Sequence, residues 1–198
     1  TFSAAVPTVW QGLLQHLRAT GQKFSTLERV TIGGSACPES IIRSFRDDYG
    51  VDVIQGWGMT ETSATFSHHM AEDYLNRPDS CGPPVPVCDA EVRDADGNVL
   101  PAGTVGELYG FGPNIVKGYW NKPEATAESF TDGWLHTGDV ARIDEDGYLY
   151  IVDRMKDVII VGGENVYSLE VEEAIIAHPD VVDVAVVGRP DPEWGEQV

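Results

Sequence analysis

At 198 residues the chain is long enough for one or two domains with a sizeable core. Thirteen basic against 32 acidic side chains leave a net charge of −19, a field that repels phosphate backbones and anionic lipid head groups, so nucleic acid and membrane surfaces are poor partners. The apolar runs fall far short of the roughly 18 residues of a membrane span, and 42% apolar with 23% charged residues is a globular composition rather than a disordered one. Cys37, Cys81 and Cys88 form no CxxC pair, which argues against a disulfide framework or a structural zinc site and fits a reducing, cytoplasmic compartment. The chain opens on Thr1 without a signal segment and is read as a piece of something longer.

Helix and strand alternate first. Val9, Trp10, Leu13, Leu14 and Leu17 follow helical spacing after Pro7, and the pattern stops at Thr20-Gly21. Leu27 to Ile32 reads as a strand running into Gly33-Gly34-Ser35-Ala36, Pro38 opens a helix carrying Ile41, Ile42 and Phe45, and Val51 to Gln55 reads as the next strand. This alternation is that of a parallel α/β layer, assigned to residues 1–82. Pro78, Pro83, Pro84 and Pro86 then break the pattern. Val87 to Val152 reads as short β runs, with Asp96-Gly97 and Asp146-Gly147 as hairpin turns, giving a β-rich sheet or small barrel over 83–154. From 155 to 198 the expectation is a strand at Asp157 to Val161, a Gly162-Gly163 turn, a helix with Ser168 as N-cap, and a strand at Val181 to Val187. That β-α-β unit reads as the opening of an incomplete α+β domain.

The sharpest local feature is Gln55-Gly56-Trp57-Gly58-Met59-Thr60-Glu61-Thr62, placed where a parallel strand ends and α/β folds hold ligands. Its two glycines suit close approach of a ligand, Trp57 offers a flat face, Thr60 a hydroxyl and Glu61 a hard oxygen for Mg²⁺. A glycine-rich turn with a half-buried Trp and a solvated Glu fits the same residues. Asp139, closing a β run at Trp134 to Asp139, can accept hydrogen bonds from a sugar diol, and Arg154 closes another run with a guanidinium; either alone is an ordinary surface charge. Trp10 reads as core, His68-His69 as adjacent side chains pointing apart, and Asp144-Glu145-Asp146 as a solvated hairpin tip.

Taken together, GGSACP, QGWGMTET, GELYGFGPNIVKGYWNKPEATAESF, DGWLHTGD and GYLYIVDRMKDVIIVGGENVYSLEVEE resemble the adenylate-forming (AMP-binding) superfamily, closest to fatty acyl-CoA synthetases, from about Val30 to Val198. The resemblance implies an ATP-dependent ligase that converts a carboxylic acid, by expectation a fatty acid, to an acyl-adenylate and passes it to CoA. It puts Gly34, Ser35 and Ala36 in the adenine pocket, with Gly56, Trp57, Gly58 and Met59 as the opposing wall, where Trp57 replaces the commoner Tyr. By the same resemblance Thr60 contacts the α-phosphate, Glu61 holds magnesium, Asp139 and Arg154 meet the ribose of ATP or AMP, and Lys156 is a hinge. Gly162, Gly163, Glu164 and Asn165 resemble the loop that lines the pantetheine tunnel of CoA. The family's Ser/Thr/Gly-rich phosphate loop and its late lysine have no counterpart, so the chain by itself is expected to be inactive. An inactive nucleotide-binding or carrier-interaction module, or an adenylating enzyme for another carboxylate, is the rival reading, and a homo-oligomer stays open.

Overall fold

A computed structural model describes residues 1–35, 37–69, 74–77, 79–176, 178, 180–181 and 184–198. Strand β1 (Phe2–Ala5) leads into helix α1 (Pro7–Thr20), which starts with proline at its first turn, where a missing N–H costs nothing. Gly21 ends it in the left-handed conformation, its N–H on the Leu17 carbonyl at 2.9 Å. Strand β2 (Arg29–Ile32), the short helix α2 (Glu39–Arg43), which continues as a wider turn through Asp48, and strand β3 (Asp52–Trp57) complete the expected alternation. β1, β2 and β3 pair in parallel.

Trp10 and Leu14 from α1 pack with Ile41, Ile42 and Phe45 onto Val30, Ile32 and Val53 of the sheet. Burying each such side chain contributes about 1.5–3 kcal/mol, so this layer forms a core of its own. The Trp10 indole also donates to the Ala5 carbonyl at 3.0 Å, and the residue is buried, as expected of a core residue.

Two expectations are corrected around this layer. The strand expected from Leu27 begins at Arg29, and the strand expected to stop at Gln55 runs on to Trp57, so Gly56 and Trp57 are strand residues. The chain then reverses and lays β4 (Ser67–His68) antiparallel on Gly56 and Trp57.

A second sheet has the order β5 (Asp89–Arg93), β6 (Gly106–Phe111), β8 (Trp134–Ile143), β7 (Phe130–Thr131), with β9 (Leu149–Arg154) on the free side of β8. Both expected Asp-Gly turns form. At each, the first aspartate, Asp94 or Asp144, accepts backbone N–H bonds from residues two and four further on. The region is not all β, however: α3 (Pro123–Ser129) interrupts it, again with proline in the first turn. The acidic hairpin tip is not simply solvated either. Arg77 forms ion pairs with Asp144 and Asp146 and lies over the Tyr148 ring, tying the loop before β5 to the β8–β9 turn.

The third sheet has the order β11 (Glu164–Val166), β10 (Ile159–Val161), β13 (Gly195–Gln197), β12 (Arg189–Asp191), all antiparallel. The expected β-α-β unit does not form among the described residues of this part. Of the strand expected at Val181 to Val187, residues 182 and 183 lie outside the described residues and the others are not in a strand. β11 and β13 already occupy both edges of β10, and the Val186 N–H goes to the Glu172 side chain instead of a ladder. Helix α4 (Ser168–Ile176) does start at Ser168, but Ser168 does not cap it with its own side chain. Its N–H and its hydroxyl both donate to the buried carboxylate of Asp153 on β9.

Candidate functional site

The turn after β3 is built by the backbone pressing on itself. Thr60–Thr62 forms one 3-10 turn, in which the Thr62 hydroxyl accepts the Met59 N–H and donates to the Met59 carbonyl, both at 3.0 Å. Ser63 and Ala64 follow with positive φ, and Phe66 returns its N–H to the Trp57 carbonyl. A Cβ on Gly58 would lie 2.1 Å from the Ala64 carbonyl oxygen, and one on Gly56 would lie 2.8 Å from that of Ser67. The two glycines are therefore required by the chain's own reversal.

Trp57 faces the second sheet, packing with Leu108, Ala141 and Leu149 and meeting Phe66 edge-on at 5.4 Å. Its indole N–H donates to Asp139 Oδ2 at 2.8 Å. Asp139 sits in the middle of β8 rather than at its end, directly opposite Arg154 on β9 and beside a register shift between Val140 and Ala141. Arg154 Nε lies 3.6 Å from Asp139 Oδ1. Burial pushes the Asp139 carboxyl pKa up from its ordinary value, and the indole and the guanidinium work against that rise.

Of the residues singled out from the sequence, Trp57 and Arg154 each meet Asp139, and Thr60 and Glu61 follow Trp57 by one turn. Gly34 and Ser35 lie exposed just beyond β2; the loop they share comes close to β3, since a Cβ on Gly33 would be 3.1 Å from the Gly56 carbonyl oxygen. Ala36 lies outside the described residues. Lys156 occupies an exposed turn between β9 and β10, next to Met155, whose N–H returns to the Gly138 carbonyl. Gly162 and Gly163 form the β10–β11 turn and Glu164 opens β11, and among the described residues no hydrogen bond or ion pair joins them to the Trp57 cluster.

Sequence reasoning passed over two residues here. Tyr119 donates its hydroxyl to Glu61 Oε1 at 2.8 Å, and Asn114 donates to the carbonyls of Thr62 and Thr65, each at 3.0 Å. Both lie within the string GELYGFGPNIVKGYWNKPEATAESF, but nothing local marks them as partners of a turn some 50 residues earlier. Burial pushes the Cys37 thiol up to about 12 and the Cys81 thiol up to about 11, which disfavours the reactive thiolate at both.

Among the described residues no group of three His, Cys, Asp or Glu side chains is arranged to hold a metal. Glu61 is half-exposed, with Tyr119 on one oxygen and no partner among the described residues for the other. One open carboxylate oxygen suits a magnesium ion that draws its remaining ligands from phosphates and water, as Mg²⁺ commonly does with nucleotides.

The sequence profile of AMP-binding enzymes matches residues 1–120, and that of the AMP-binding enzyme C-terminal domain matches residues 170–198. The chain is 42% identical over 200 residues to a feruloyl-CoA synthase of Amycolatopsis, aligning 99% of itself with 40% of that protein. It is 41% identical over 209 residues to a long-chain-fatty-acid–CoA ligase of Thermus thermophilus, covering 38% of it. Among solved structures, the O-succinylbenzoate coenzyme A synthetase of Bacillus subtilis in complex with ATP and magnesium superposes with a TM-score of 0.88 at 35% identity. An amide bond synthetase of Marinactinospora thermotolerans superposes at 0.90 with 39% identity. Both structural alignments cover 99% of this chain and 40% of the other, so the chain spans about 40% of the length of the relatives it matches.

Proposed function

Since the chain belongs to the AMP-binding enzyme family, we propose that it forms the nucleotide-holding part of a ligase that activates a carboxylic acid with ATP and transfers the acyl group to CoA. The observation that carries this reading is the convergence of Trp57, Asp139 and Arg154 beside the Thr60–Glu61 turn. In the first step a carboxylate oxygen of the acid bonds to the α-phosphorus of ATP and the bond to pyrophosphate breaks. In the second, the CoA sulfur attacks the acyl carbonyl and AMP leaves.

Asp139 accepts hydrogen bonds from the ribose hydroxyls, with Arg154 as a donor beside it, while Gly56, Trp57, Gly58 and Met59 hold the adenine together with the Gly34-Ser35-Ala36 segment, of which Ala36 is assigned from the sequence alone. Thr60 donates to the α-phosphate, and Glu61 holds magnesium. When bound, that ion neutralises charge developing on the phosphates. Lys156 is the hinge, and Gly162, Gly163 and Glu164 line the path of the CoA thiol. The division at 1–82, 83–154 and 155–198 belongs to the same proposal, and it is supported by one sheet falling in each part.

A fatty acid is the proposed substrate, on the likeness of the Gly56–Glu61 string to fatty acyl-CoA synthetases, and the cytoplasm is the proposed location. Among the described residues no helix is long and apolar enough to cross a membrane. The relatives' names span ferulate, 2-succinylbenzoate and 3-methylmercaptopropionate as well as long-chain fatty acids, so the substrate is the point to test. The full-length protein is to be assayed for ATP–pyrophosphate exchange and CoA ester formation across those four acid classes. Exchange driven most strongly by fatty acids is expected. Exchange driven best by another acid would overturn the substrate, and none with any carboxylate would overturn the reaction.

A further inference from the structure

The stretch between β6 and α3 is fastened along its length to the turn that carries Thr60 and Glu61. Asn114 donates to Thr62 and Thr65 and accepts the Ser63 hydroxyl on its own carbonyl at 2.7 Å. The Val116 N–H reaches the Glu61 carbonyl at 2.9 Å, and the Tyr119 hydroxyl reaches the Glu61 carboxylate. Tyr119 is itself anchored. Its N–H goes to the Thr126 hydroxyl of α3 at 2.9 Å, and its ring meets Phe130 edge-on at 6.4 Å.

We infer that Tyr119 is a positioning residue: by holding Oε1 of Glu61 it fixes the carboxylate rotamer and presents Oε2 to the metal of a metal–nucleotide substrate. A half-exposed glutamate otherwise samples several rotamers, a freedom that must be surrendered on binding a metal. A phenol fixed by α3 removes that freedom beforehand, which is how a supporting hydrogen bond raises the affinity of a carboxylate ligand. The inference rests on Glu61 being the metal ligand.

The test uses the full-length protein and does not depend on turnover. Nucleotide binding is followed by calorimetry while Mg²⁺ is titrated, in the wild type, Tyr119→Phe and Glu61→Gln. Tyr119→Phe keeps the ring against Phe130 and is expected to raise the half-saturating Mg²⁺ concentration about 10-fold, the scale of a lost hydrogen bond to a charged group, while leaving metal-free nucleotide affinity unchanged. Glu61→Gln is expected to abolish the Mg²⁺ dependence. If Glu61→Gln does so and Tyr119→Phe titrates like the wild type, the positioning role is overturned and the metal ligand stands. If Glu61→Gln titrates like the wild type, both fall. Should Tyr119→Phe fold poorly, 3-fluorotyrosine at 119 supplies the readout: its ¹⁹F resonance is expected to move when Mg²⁺ joins the bound nucleotide, and a stationary resonance overturns the inference.

Discussion

The indole of Trp57 and the carboxylate of Asp139 form one unit across 82 positions of sequence, with Oδ2 held by the ring and Oδ1 turned toward Arg154. Trp57→Phe keeps an aromatic face but removes the donor. In the full-length enzyme it is expected to weaken ATP binding about 10-fold, or about 1.4 kcal/mol, through a mis-set Asp139, with kcat little changed. Steady-state kinetics with varied ATP decide it, and a fall in kcat at constant KM would contradict it.

Asp139 also carries a stability consequence. Its folded pKa lies above the ordinary value of 3.8, with burial the leading cause. The folded state thus binds the proton more tightly than the unfolded state. Stability from this group is fully present below the ordinary value and is lost as pH rises through the folded value. Asp139→Asn, which has no charge to bury, is therefore expected to melt at a higher temperature than wild type at pH 7, with the gain closing as pH falls toward 4. Thermal melts across that range are the measurement. An Asn advantage that grows at low pH would reverse the assignment.

Glu61 and Asp139 are expected to fail differently. On the proposed roles, Glu61→Gln removes charge opposite the reacting phosphates and is expected to lower kcat for adenylation by roughly 10²-fold. On the same proposal, Asp139→Ala loses a diol contact made in ground and transition states alike, and is expected to raise the KM for ATP instead. Equal kcat losses at constant KM in both variants would refute the division of roles.

Gly58 is the tightest test of the turn. Gly58→Ala places a methyl against the Ala64 carbonyl and is expected to destabilise the protein by about 2 kcal/mol or more. Gly12→Ala, in α1 with open space around it, is expected to stabilise by about 0.5–1 kcal/mol. Denaturant titrations of the pair check the contrast, and similar effects at both sites would refute it.

Lys156 lies in a turn where its own N–H is in no backbone hydrogen bond among the described residues, so proline there removes no bond while fixing φ near −65°. As a hinge variant, Lys156→Pro is expected to keep pyrophosphate exchange and lose CoA ester formation. Parallel losses in both half-reactions, at unchanged thermal stability, would remove Lys156 from the mechanism. The Asp153–Ser168 contact spans this turn, so a rotation at Lys156 has to part that carboxylate from α4.

The sequence alone was enough for whatever a few adjacent residues decide. Pro7 and Gly21 bracket α1, the Asp-Gly pairs close their turns, and apolar periodicity marks Val30, Ile41 and Phe45 as core, because capping, turn conformation and facial burial act over one or two turns of chain. The order of motifs also placed Trp57, Glu61, Asp139 and Arg154 on one list of site residues. Their contacts, however, were decided only by tertiary structure. Whether Trp57 meets Asp139, Tyr119 meets Glu61 or Asp153 takes over the N-terminus of α4 depends on the docking of separate sheets, and the reason for Gly56 and Gly58 appears only when β4 folds back onto β3. Such pairings are set by the packing of distant segments, and no local preference for helix, strand or turn encodes them.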